Sequence, residues 1–129
     1  MNRLHPAHRV LVYAVLLVLI LSGALWEADV ARSALIKVHG AAAMASLLVL
    51  GSLLARHVAT GWSAKANRAS GACLLVVLSW LVISGYLLYY VGDETLRRYA
   101  AQSHFWTGLA LAALFAAHQR ARARASRGA

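Results

Sequence analysis

Long apolar runs separated by short polar stretches organise this chain. Four of them, Val10 to Trp26, Val38 to Ala55, Gly71 to Val91 and Tyr99 to His118, contain no Lys, Arg, Asp or Glu. Each has 17 to 21 residues, near the ~20 that cross ~30 Å of hydrocarbon as a helix. Lipid offers no hydrogen-bond partner to exposed backbone groups, so apolar runs of this length are helices. The pattern predicts an all-α chain, an integral membrane four-helix up-and-down bundle forming one domain over residues 1–129. Its helices are expected at about 10–26, 38–55, 71–91 and 99–118. Arg3 and Arg9 before the first run, and Ser22-Gly23-Ala24 after it, resemble a cleaved leader. The run is longer than the apolar core of such leaders, which favours a retained helix.

Composition agrees with this division. Hydrophobic residues make up 61% of the 129, charged residues 13%, and the mean hydropathy is +0.63. A soluble domain carries about a quarter charged residues. The formal net charge of +9 is unevenly spread. Arg3, Arg9, Arg56, Lys65, Arg68, Arg120, Arg122, Arg124 and Arg127 fall on one side of the expected membrane with no acid among them. Arg32, Lys37, Arg97 and Arg98 fall on the other, with all four acids, Glu27, Asp29, Asp93 and Glu94. The positive-inside rule therefore makes both termini cytoplasmic. The basic tail beside a membrane helix suits topology and contact with anionic lipid, not nucleic acid. The single cysteine, Cys73, excludes an intrachain disulfide, and no Cys-x-x-Cys-His is present for covalent haem attachment.

Six histidines in so apolar a chain need a reason. His5 is a solvated residue of the tail. The other five lie at the ends of the spans or within them, where ionisable side chains are costly and usually functional. His39 and His104 fall toward the outer face, and His8, His57 and His118 toward the cytoplasm. His104 and His118 are 14 residues apart, about 40° short of four turns and about 21 Å along the axis. His39 and His57 are 18 apart, five whole turns and about 27 Å. Two such helices facing each other would present imidazoles at two heights. Haem iron takes axial histidines in this way, and neutral imidazole is a suitable ligand. Gly108 and Ala43, one turn after His104 and His39, leave room for a flat macrocycle. Leu81 to Gly85 also echoes Leu19 to Gly23, 62 residues earlier, as a weak internal repeat.

These residues resemble the four-helix di-haem b-type cytochromes of bacterial inner membranes. That group includes the cytochrome b subunits of formate dehydrogenases and nickel–iron hydrogenases, and superoxide oxidase. The likeness rests on His104, Gly108 and His118; on His39 with Arg56 seventeen residues later; and on His8-Arg9 leading to Leu21-Ser22-Gly23. The resemblance implies two haems b, one held by His39 with His104 and the other by His118 with His8, in a bacterial inner membrane. The chain lacks the family's extended loops, and its His8 stands one residue further from Ser22-Gly23 than the pattern expects. His57 stays open as the alternative to His8, because the internal repeat favours it. Arg9, Arg56 and Arg120 near the inner layer, and Lys37, Arg97 and Arg98 near the outer one, are candidate partners for anionic propionates. Trp80, Tyr86, Tyr89, Tyr90 and Trp106 read first as an aromatic belt, and second as the border of a quinone site.

Three functions follow from this reading. The first is an electron-transfer cytochrome working between quinone or quinol and a redox partner protein on the periplasmic or cytoplasmic side, as a subunit of a larger oxidoreductase. The second is a self-contained quinone-linked oxidoreductase entered past Lys37, Arg97 and Arg98. Neutrality of the outer side weakens steering of an anion there. The third is a haem-free membrane protein that binds a transition metal through its histidines. Whether the chain is an enzyme in its own right stays open, as does its association into homo- or hetero-oligomers.

Overall fold

A computed structural model describes residues 5–63 and 68–125. Arg3, Lys65 and Arg127 lie outside the described residues, as do the side chains of Arg56, Arg122 and Arg124. The described residues are helical with no strand: α1 (Pro6–Glu27), α2 (Arg32–Leu53), a π-helical turn (Leu54–Val58), α3 (Ala59–Ser63), α4 (Arg68–Tyr90) and α5 (Glu94–Ala125). The chain divides into two compact units, Met1–Ala64 and Lys65–Ala129. In the first α1 packs on α2, and in the second α4 packs on α5. Each is an antiparallel helical hairpin, the outcome expected of two helices joined by a very short loop.

The helix ends are set by local hydrogen bonding. Pro6 occupies the first position of α1, where its missing N–H costs nothing, and the His5 ring accepts from the Ala7 N–H at 3.4 Å. The other end of α1 closes with a Schellman motif: Asp29 N–H donates to the Trp26 carbonyl and Val30 N–H to the Leu25 carbonyl. Asp29 takes the left-handed conformation this motif needs, at φ 63°. Arg32 then fastens the turn, with Nε 2.9 Å from Asp29 Oδ1, a bond to the Trp26 carbonyl, and its guanidinium over the Trp26 ring. α5 starts with Asp93 accepting the Leu96 N–H at 2.7 Å, and Glu94 stands in the first turn where the helix dipole favours an acid.

Three helices, α1, α2 and α4, are long and apolar enough to cross a membrane. Their surfaces carry large apolar side chains that a water-soluble fold would cover: Leu48 is 78% exposed and Val76 70%. The first hairpin buries Val15 and Val49, and the second buries Leu74, Ala100 and Leu111. The expected count of four helices is not matched. Among the described residues there are five α-helices and a π turn, and α5 is absent from the apolar set. α5 contains the whole expected run Tyr99 to His118, but Gln102, Ser103, His104 and Thr107 interrupt its first half and lower its hydropathy. Its ends also reach beyond the apolar run, because capping by Asp93 and the helix-forming Ala/Arg tail extend it.

The π turn also corrects one expectation. His57 lies within it, and a wider turn does not keep the 100° step assumed between His39 and His57. The five-turn register of that pair is therefore lost after Leu53.

Ala31, the residue before α2, has φ 39° and ψ 44°, a left-handed conformation that strains a residue with a Cβ, and it offers no side-chain cap. Ala31→Gly is expected to stabilise the first hairpin by about 0.5–1 kcal/mol, since glycine relieves the strain and is a better cap. Unfolding of the detergent-solubilised chain by graded SDS measures this.

Candidate functional site

His8, His39, His104 and His118 each share a hydrogen bond with a serine on the other helix of their own hairpin. At the loop end of the first hairpin, Ser22 Oγ near the end of α1 is 2.9 Å from His39 Nδ1 near the start of α2. At the loop end of the second, Ser84 Oγ on α4 is 2.9 Å from His104 Nδ1 on α5. At the open ends, Ser70 Oγ on α4 is 2.9 Å from His118 Nδ1, and Ser52 Oγ on α2 is 3.0 Å from His8 Nε2. His57 sits in the π turn, partly exposed.

The serines at the loop ends are the deepest polar groups in the chain: Ser22 is 3% exposed and Ser84 is fully buried. A serine inside an apolar helix turns its hydroxyl back onto a carbonyl one turn earlier. Ser22 Oγ lies 2.6 Å from the Val18 carbonyl and Ser84 Oγ 2.7 Å from the Trp80 carbonyl. A hydroxyl has one proton. At these short distances that proton sits on the carbonyl, since otherwise two oxygen lone pairs would face each other. The serine oxygen then accepts, and the imidazole Nδ1–H donates. In His39 and His104 Nδ1 thus carries a proton, and Nε2 is the ring nitrogen turned away from the serine.

A glycine stands beside three of the four rings. A Cβ added at Gly23 would stand 3.4 Å from His39 Cε1, and one at Gly85 3.4 Å from His104 Cε1. At Gly71 the corresponding distance to His118 Cε1 is 3.9 Å. The three Ser-Gly dipeptides of the chain, 22–23, 70–71 and 84–85, are thus placed alike: serine bonds the ring and glycine lies beside it. A Cβ added at Gly108 would meet Leu81 of α4 at 3.9 Å.

The open ends carry the same bond with one exchange of partners. A shift of 62 residues takes Ser22-Gly23 onto Ser84-Gly85, and it also takes His8 onto Ser70. In the second hairpin the first helix carries the serine and the second the histidine. In the first hairpin Ser52 is on α2 and His8 on α1. Ser52 places its proton on the Val49 carbonyl at 2.6 Å, so it accepts from His8 Nε2–H and leaves the His8 lone pair on Nδ1. His8 is therefore held by the opposite ring nitrogen to the other three.

Of the remaining candidates, Arg9, Lys37, Arg97, Arg98 and Arg120 are exposed. Tyr86, Tyr89, Tyr90 and Trp106 are each at least 61% exposed, as belt aromatics are, with Tyr86 stacked on Tyr90 at 4.4 Å. Trp80 lines a shallow recess with Leu87, Leu96, Tyr99, Ala100 and Ser103. Among the described residues no three His, Cys, Asp or Glu side chains form a metal-binding group. A porphyrin supplies four equatorial nitrogens itself, so two imidazoles complete its iron. The chain matches no protein family, no curated protein and no solved structure.

The glycines allow a graded test of the ring slots. Gly85→Val is expected to force the His104 ring away and destabilise the protein by about 1–3 kcal/mol. Gly51→Ala, with nothing within 4 Å of the added Cβ, is expected to stabilise by about 0.5–1 kcal/mol through helix propensity alone. The same SDS unfolding measurement compares them.

Proposed function

We propose that this chain is a membrane cytochrome that binds two b-type haems and carries electrons between quinone and a redox partner protein. In this reading it crosses the bacterial inner membrane four times, α5 being the fourth pass, with both termini cytoplasmic. The single observation that carries it is the pair of loop-end histidines held through Nδ1 by buried serines, His39 on Ser22 and His104 on Ser84.

Ligation of haem iron requires a neutral imidazole with a lone pair directed away from its own anchoring bond. Iron-ligating histidines typically donate the other ring N–H to a fixed acceptor, which sets the tautomer and the ring plane. The buried serines at His39 and His104 supply such an acceptor in a region with few alternatives. A bare interfacial histidine needs no such support, since water and lipid headgroups hydrogen-bond it. The residues thus fit the group. His39 and His104 are the ligands of one haem, and His118 and His8 of the other, with His57 as the alternative to His8. Arg9 and Arg120, and Lys37, Arg97 and Arg98, are placed by sequence near the two ligand layers and are suited to anionic propionates. When bound, haem supplies reversible one-electron transfer, and the protein tunes it through axial ligands and burial. What the chain's own residues do is hold and orient the imidazoles through hydrogen bonds to serine.

The test is the optical spectrum of the purified protein, oxidised and dithionite-reduced. A sharp b-type α band is expected, halved in His39→Ala and in His104→Ala with the second haem retained. His8→Ala is expected to lose the inner haem and His57→Ala to keep it. A chain that takes up no haem under adequate supply would contradict the reading.

A further inference from the structure

We propose that Ser22 and Ser84 are positioning residues that hold His39 and His104 in the Nδ1-protonated tautomer and so decide which ring nitrogen is offered as a ligand. The inference rests on the haem reading for its consequence, but the hydrogen-bond chain behind it stands by itself. In each hairpin that chain runs from imidazole Nδ1–H to serine oxygen, and from serine O–H to a helix carbonyl. Free imidazole populates both neutral tautomers. Only the one with its proton on Nδ1 leaves the lone pair on Nε2, the nitrogen remote from the side-chain stem and therefore able to approach the metal of a flat macrocycle. Gly23 and Gly85 lie beside the Cε1 edge of the two rings, 3.4 Å from it to the position of an added Cβ. A ring turned the other way would bring a carbon, Cδ2, to the serine oxygen.

The first hairpin contains a built-in contrast. Ser52 receives the proton of His8 Nε2 and so engages the nitrogen a haem would need. By the same logic Ser52 competes with ligation at His8, whereas Ser22 and Ser84 prepare it. Removing the hydroxyls should therefore act in opposite senses at the two places.

The experiment uses the full chain in detergent, with 15N-labelled histidine, before and after titration with hemin. In the haem-free protein, His39 and His104 are expected to show the Nδ1–H tautomer alone and His8 the Nε2–H tautomer. Ser22→Ala and Ser84→Ala should each convert the facing ring to a mixture and weaken hemin binding about ten- to a hundredfold, the usual cost of losing an outer-shell partner. Ser22→Thr, which restores a hydroxyl able to bond the same carbonyl, should recover both properties. Ser46→Ala, whose hydroxyl bonds only the Ala43 carbonyl, should change neither. Ser52→Ala should leave hemin binding equal or tighter.

An unchanged tautomer in both Ser22→Ala and Ser84→Ala overturns the proposal whatever the haem content. A lost tautomer with unaltered hemin affinity overturns the positioning role. A loss at Ser52→Ala as large as at Ser84→Ala overturns the argument from ring nitrogens. If the parent chain takes up no hemin, the haem reading and the ligand role both fall, while the tautomer measurement still reports on the serine–histidine bond. Because Ser22 and Ser84 lie in separate hairpins, misfolding of one variant leaves the other as the test.

Discussion

A hydrogen bond between a serine and a histidine on the facing helix recurs at each end of both hairpins, and most other features of the chain accommodate it. An imidazole within an apolar span has few partners, and an unmade hydrogen bond there costs far more than in water. Serine is suited to meeting that need from inside a helix. It satisfies its own proton on the preceding turn and presents a fixed acceptor to its neighbour. At Ser22, Ser70 and Ser84 the following glycine lies against the ring, where a Cβ would come within 3.4–3.9 Å of it. The loss of helix propensity, about 1 kcal/mol per glycine, is tolerable where tertiary contact gains from it.

Seen this way, the two hairpins are variations on one design. Their loop ends are nearly identical, with Ser-Gly on the first helix and histidine on the second. Their open ends keep the bond and exchange the helices that carry each partner. The exchange reverses the nitrogen engaged at His8, so the four imidazoles are not chemically equivalent.

Much of this was legible in the residues, and what was missed has physical causes. Apolar runs announced α1, α2 and α4, because a span with no charge over 17 or more residues has little other use. Their ends were not legible from hydropathy. The helices stop at caps such as Asp93 and the Asp29 Schellman turn, so α2 starts at Arg32 and α5 at Glu94, well before the apolar runs. The π turn at Leu54–Val58 left no mark in the pattern and broke the expected register of His57. Histidine positions were clear, since each is expensive where it stands. The serines were overlooked because serine is common in membrane helices. Their role emerges only when one knows which helix faces which. The signal was nevertheless present: all three Ser-Gly dipeptides lie one hairpin partner away from a histidine. The repeat of Leu19 to Gly23 in Leu81 to Gly85 contained two of them.

The central claim is that these histidines are paired ligands for two haems. Electron paramagnetic resonance of the oxidised protein, combined with a pyridine haemochrome count, tests it most directly. The account predicts two haems per chain, each with a low-spin signal of bis-histidine ligation. A high-spin signal alone, or no haem at all, would contradict it.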